Sequence, residues 1–106
     1  MTEKEKKLLS SLGICAKAGK VIFGVPLICE AMRKGGAKRP LIVVEASDTS
    51  ENTHKRITDK CAYYNVKHCR ISVDSEALAA ALGKISVVAA VAVTDEQLTI
   101  LVEKNL

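Results

Sequence analysis

Four short apolar runs punctuate the chain: Val21-Ile22-Phe23, Leu41-Ile42-Val43-Val44, the segment around Cys69-Arg70-Ile71, and Val87 to Val93. Between them, apolar residues recur at three- and four-residue spacing, the period of a helix with one buried stripe. The order is therefore helix, strand, helix, strand, helix, strand, helix, strand, helix. Strands alternating with helices pair into a sheet covered on both faces. Leu41 to Val44, apolar at every position, is the pattern of a central strand buried on both sides. The expected fold is α/β, a three-layer α/β/α sandwich around a single small four-stranded sheet.

Local chemistry sets the boundaries. Leu8, Leu9, Leu12, Cys15 and Ala16 line the first helix, which Ala18-Gly19 ends. Gly24 stops the first strand, and Pro26 suits the first turn of the next helix because its fixed φ fits and its missing N–H has no helical partner to lose. Leu27, Ile28, Ala31 and Met32 supply that helix's buried face, and Gly35-Gly36 closes it. Two residues compete to cap the third helix: Asp48 in a capping box with Glu51, or Ser50. Ile57, Cys61 and Tyr64 form its inner face before Asn65 breaks it, and Val66 to Val73 holds the third strand. Asp74 caps a short fourth helix carrying Ala77, Leu78, Ala81 and Leu82, Gly83 ends it, and a last helix carries Leu98, Leu101 and Val102. No repeat or Pro-, Gly- or Ser-rich linker interrupts the 106 residues, so residues 1–106 are expected to form one domain.

Several function classes are disfavoured. Cys15, Cys29, Cys61 and Cys69 show no close pairing, which argues against zinc or a disulfide framework and for reduced thiols in a cytoplasmic protein. The longest apolar stretch, Ile85 to Val93, is interrupted by Ser86 and too short to span a bilayer, so no membrane role is expected. His54 and His68 stand in polar stretches read as exposed. His68 next to Cys69 in a strand would point to the opposite face, so no nucleophile–base dyad is expected. Glu45 and Asp48 flank a strand-to-helix turn where Asp48 is more simply a cap. Gly24-Val25-Pro26 lacks the clustered glycines of a phosphate-binding loop. Neither enzymatic activity nor a metal or cofactor is expected.

Sixteen Lys and Arg against twelve Asp and Glu give a net charge of +4, which permits nucleic-acid binding without requiring it. Lys17 and Lys20 precede the Gly24 turn, and Arg33, Lys34, Lys38 and Arg39 follow it. A helix starting at that turn offers unpaired N–H groups to an anion. The same cations serve equally well as solvated helix ends. With only Phe23, Tyr63 and Tyr64 as aromatics, a surface stacking many single-stranded bases is not expected; any RNA would be read by shape.

The stretch Lys17-Ala18-Gly19-Lys20-Val21, Gly24, Gly36-Ala37-Lys38 and Leu41-Ile42-Val43-Val44-Glu45-Ala46 resembles the L7Ae/L30e ribosomal-protein family. Ser50-Glu51-Asn52-Thr53, Thr58-Asp59-Lys60-Cys61, Leu78 to Lys84 and Ala90 to Asp95 are similar to its bacterial, YlxQ-like branch, so that essentially the whole chain is covered. The resemblance implies an L30e-like mixed sheet and a protein that binds structured RNA, typically kink-turns, through the helix after the first strand and the loop before the last. It also implies a ribosomal or ribosome-associated partner, ribosomal RNA among the targets, and a monomer. The RNA-binding residues so implied are Lys17, Lys20, Gly24, Val25, Pro26, Arg33, Lys34, Lys84, Ile85, Ser86 and Val87. Where the family pattern Gly-x-Asn-Glu-x-x-Lys would place Asn, Glu and Lys, this chain has Pro26, Leu27 and Glu30. Pro26 and Leu27 offer no hydrogen bond to a base edge, and Glu30 repels phosphate. The loop Lys84-Ile85-Ser86-Val87 resembles the family's apolar lip, although Val87 equally suits the start of the last strand, and Ile85 suits it less well. The alternative is a protein–protein interaction module on the same fold, RNA binding lost, docking through Pro26, Leu27 and Ile85.

Overall fold

In the computed structural model, which describes residues 1–106, every residue of β2 (Ile42–Glu45) and of β4 (Ala90–Val93) is buried. These are the two inner strands of a sheet ordered β1-β4-β2-β3, with β1 (Val21–Phe23) and β3 (Lys67–Arg70) at the edges. Strand β4 runs antiparallel to both β1 and β2, whereas β2 and β3 are parallel. The sheet is therefore mixed. A parallel pair needs a crossover, which α3 (Glu51–Tyr63) provides.

Strand geometry divides the core in two, because successive side chains point to opposite faces. Ile42, Val44, Val91 and Val93 face Leu8, Leu12 and Cys15 of α1 (Glu3–Lys17), Leu78 of α4 (Ser75–Ala81) and Val102 of α5 (Glu96–Lys104). Val43, Ala90 and Ala92 face Ile28, Cys29 and Met32 of α2 (Val25–Lys34) and Ile57 and Cys61 of α3. Each fully buried aliphatic side chain stabilises the fold by about 1.5–3 kcal/mol. The layers are thus α1, α4 and α5 below, the sheet between, and α2 and α3 above, the α/β/α sandwich expected from the strand–helix alternation.

Several boundaries differ from the sequence reading, each for a local reason. Helix α1 begins well before its apolar stripe because Thr2 and Glu5 form a reciprocal capping box in the polar start. Leu27 does not join the buried face of α2; it is 58% exposed, and Val25 takes the inward position in the first turn. The last strand starts at Ala90 rather than Val87. The Val88 N–H donates to the Ser75 carbonyl instead of to the sheet, leaving Ile85 and Val87 exposed while Val88 packs inward. The third strand likewise contracts to Lys67–Arg70.

Ser50, not Asp48, caps α3, its hydroxyl accepting the Thr53 N–H. Asp48 instead accepts from the N–H and hydroxyl of Ser75, and these bonds hold its carboxyl below the usual range. Ser50→Ala is expected to lower stability by about 1 kcal/mol, measured by denaturant unfolding, with the Asp48 contacts intact. Cys15, Cys29 and Cys61 are buried free thiols and Cys69 is half-buried. Burial pushes the Cys61 thiol up to about 11, which makes it a poor nucleophile. No helix is long and apolar enough to cross a membrane.

Candidate functional site

The turn between β1 and α2 is built on Gly24, whose φ of 86° lies in the left-handed region where a side chain is strained. This conformation lets the chain leave an edge strand and enter a helix without an intervening loop. Gly24 is the N-cap but has no side chain with which to cap, and its own N–H donates to the Ala90 carbonyl. Of the four N–H groups that a helix start leaves without intrahelical partners, one is therefore used and one is absent at Pro26. Those of Val25 and Leu27 remain for an external acceptor.

Facing this turn is the loop from Gly83 to Ala89. Gly83, at φ 73°, ends α4, and the Lys84 N–H returns to the Ala79 carbonyl. The Lys84 ammonium lies 4.2 Å from the centre of the Phe23 ring, a cation–π contact that holds the charge beside β1. Ile85 is fully exposed and Val87 68% exposed, so both are lip residues rather than the first core residues of the strand. Between turn and loop lies an open cleft of about 800 Å³, and α3 closes its third side with Thr53 and Arg56. Its charged lining residues are Arg56 and Lys84, both cations.

The structure thus brings Gly24, Val25, Pro26, Lys84, Ile85, Ser86 and Val87 to one place. It does not bring the basic flank there. Lys20 and Lys34 line a second groove, with Leu27, Glu30 and Lys38, on the other part of α2. Lys17 stands apart beside Leu9, Gly13 and Ala81. Arg33 and Lys34 lie 3.8 and 3.5 Å from Glu30, exposed pairs of the kind that contribute little and are easily exchanged. Phe23, Thr53 and Arg56 escaped the sequence reading. The three-residue spacing of Thr53 and Arg56, which puts them on one helix face, was visible, but nothing in it tied that face to the Gly24 turn.

A second cluster corrects the reading of both histidines. Glu45, taken as the end of a strand, is completely buried in the sheet's upper face, and His54 and His68 turn onto it rather than into solvent. The His54 Nδ1 lies 2.9 and 2.8 Å from the two carboxylate oxygens, and the His68 Nε2 lies 2.7 Å from Oε1. The Thr49 hydroxyl donates to Oε2, and the Arg70 Nε is 3.5 Å from it. Burial pushes the Glu45 carboxyl up, but hydrogen bonds from Thr49, His68 and His54 and the charge of His54 together outweigh it and hold the group below its ordinary value. Cys69 packs into the opposite core, so it and His68 are on different faces.

A small α/β/α sandwich whose open cleft joins a bare helix start, two cations and an apolar lip defines a binding protein of the L30e-like type. The chain belongs to the Ribosomal protein L7Ae/L30e/S12e/Gadd45 family, whose profile matches residues 6–102. It is 41% identical over 86 residues, 80% of each chain, to the RNA-binding protein YlxQ of Bacillus subtilis (strain 168). It is also 41% identical over 61 residues to the RNA-binding protein YlxQ of Enterococcus faecium, covering 58% of this chain and 56% of that one. Among solved structures, a protein of unknown function from Bacillus halodurans C superposes with a TM-score of 0.78 at 27% identity, covering 92% of this chain and 97% of the other. The Giardia lamblia 15.5kD RNA binding protein gives the same TM-score at 16% identity, covering 99% and 86%, a likeness of fold alone.

Proposed function

We propose that this chain is a cytoplasmic, ribosome-associated protein that binds structured RNA as a single-domain monomer and performs no enzymatic chemistry. The observation that carries the reading is the convergence, in one cleft, of the free N–H groups at the start of α2 with Arg56, Lys84 and the apolar lip. The N–H groups and cations suit phosphate oxygens, and Ile85 with Val87 suits the flat face of an unstacked nucleotide. Membership in the family and the RNA-binding relatives support it.

The RNA is of the kink-turn kind or a related bent helix, read by shape. Pro26 and Leu27 carry no group that pairs with a base edge, and Glu30 faces Arg33 and Lys34 rather than a phosphate. Lys20, Lys34 and Lys38 in the neighbouring groove extend the cationic track along α2. The test is a binding titration against bulged-helix fragments of ribosomal RNA at several salt concentrations. A steep loss of affinity with salt is expected, and no binding at low salt would overturn the proposal. Replacing the solvent-exposed Ile85 by Ser should weaken binding by about three- to tenfold, a loss of one apolar contact, while the unfolding midpoint stays unchanged.

The exposure of Ile85 and Val87 on the lip of the cleft also favours a second reading, an apolar patch that docks a protein. Pull-down before and after nuclease treatment separates them: a partner lost with the RNA supports the first, one retained supports the second.

A further inference from the structure

We propose that Glu45, His54 and His68 form a binding site for a zinc ion, with the carboxylate Oε1, the His54 Nδ1 and the His68 Nε2 as ligands and water in the fourth position. The three residues come from β2, α3 and β3, and their ligand atoms lie within 4.8 Å of one another. Oε1 is the common vertex, 2.9 Å from Nδ1 and 2.7 Å from Nε2. Tetrahedral zinc with bonds of about 2.0–2.1 Å spaces its ligand atoms about 3.3 Å apart, so each ring needs to retreat from Oε1 by roughly half an ångström while the two nitrogens, within 4.8 Å of each other, settle at the same spacing. Two imidazoles and one carboxylate are the donor set of open zinc sites and disfavour magnesium or calcium, which take oxygen ligands.

The rest of the carboxylate is already occupied in the way a metal-bound carboxylate requires. Oε2 accepts the Thr49 hydroxyl and faces the Arg70 guanidinium, itself anchored by a 3.1 Å bond from Nη2 to the Thr49 carbonyl, so that the His54 Nδ1, which lies 2.8 Å from Oε2 as well, is the one contact that zinc takes over. These contacts orient the group as a one-oxygen ligand and leave Oε1 to the ion. The His54 and His68 side chains are 30% and 17% exposed, so an ion and its water have a route in, while the carboxylate at the bottom is fully buried. Each imidazole binds by the lone pair of its carboxylate-facing nitrogen, so a neutral ring keeps its proton on the other nitrogen and a charged ring releases one proton to solvent as the ion binds. Cysteine spacing, on which the sequence expectation of no metal rested, is silent here because the ligands lie in three separate elements.

The test uses the full chain, freed of metal by chelator and titrated with zinc by calorimetry. Uptake of a single ion is expected, weakened by about tenfold or more in His54→Gln and in His68→Gln, since loss of a ligand should cost at least as much as loss of a group that orients one. No uptake, or uptake unchanged in both variants, overturns the proposal. Should either variant fail to fold, the wild type decides. Zinc must shift the imidazole nitrogen resonances of both His54 and His68, and the cobalt-substituted protein must lack thiolate charge-transfer absorption. Unmoved imidazoles, or a thiolate band pointing to the cysteines, overturn it equally.

Discussion

Reversing Arg56 and Lys84 together to Glu will lower affinity for structured RNA by about 25- to 60-fold at 0.1 M salt. Each phosphate neutralised releases counterions with a slope of about 0.7–0.9 in log affinity against log salt, so two lost contacts remove about 1.4–1.8 decades. The slope of the salt titration should fall by nearly 2. The same reversal at Lys17, which lines a different groove with Leu9 and Ala81, should cost less than about threefold at this salt because it acts only through screened charge. The comparison separates a built cleft from a general attraction of a protein with net charge +4. Equal losses at Lys17 and in the double variant would remove the cleft from the proposal.

Glu45→Ala will destabilise the fold by about 3 kcal/mol at neutral pH, measured by urea unfolding, because it strips His54, His68, Thr49 and Arg70 of their shared acceptor. Glu45→Gln, which keeps the shape and one acceptor oxygen, should cost less, about 1–2 kcal/mol. The pH dependence follows from the carboxyl being held below its ordinary value of 4.5. A group with a depressed folded value stabilises fully above its unfolded value and stops doing so as pH falls through the folded one. The gap between wild type and the Ala variant should therefore be widest near neutrality and close in acid, below about pH 4.5. A gap independent of pH would mean that the carboxylate's volume, not its charge, is what the sheet needs.

The layers were legible in the sequence because burial on both faces leaves a mark at consecutive positions: Ile42, Val43 and Val44 divide between two cores, and only an apolar run permits that. Helix ends were legible where a special backbone demands a special residue, as at Gly24, Gly35, Asn65 and Gly83, all at positive φ. Leu27 misled because apolar character alone does not give its angle around a helix whose start is fixed by Pro26. Val87 misled because exposure of a β-branched residue at a loop tip has no local signature. The walls of the cleft were half legible: resemblance pointed to the turn and the lip, but Thr53 and Arg56 arrive from a helix that only the crossover brings alongside. The Glu45 cluster was illegible for the same reason, since three polar residues at positions 45, 54 and 68 become neighbours only once β2, α3 and β3 have assembled.

Strand order carries one more consequence. β4, the last strand in the chain, inserts between β1 and β2 rather than adding at an edge. While the polypeptide emerges from the ribosome, β1 and β2 have no strand to join them until β4 follows, with α5 still to come. The lip at residues 84–87 and the Ala90 carbonyl that fixes Gly24 arrive with it. The cleft and the finished sheet therefore depend on the same stretch of chain, residues 84–93.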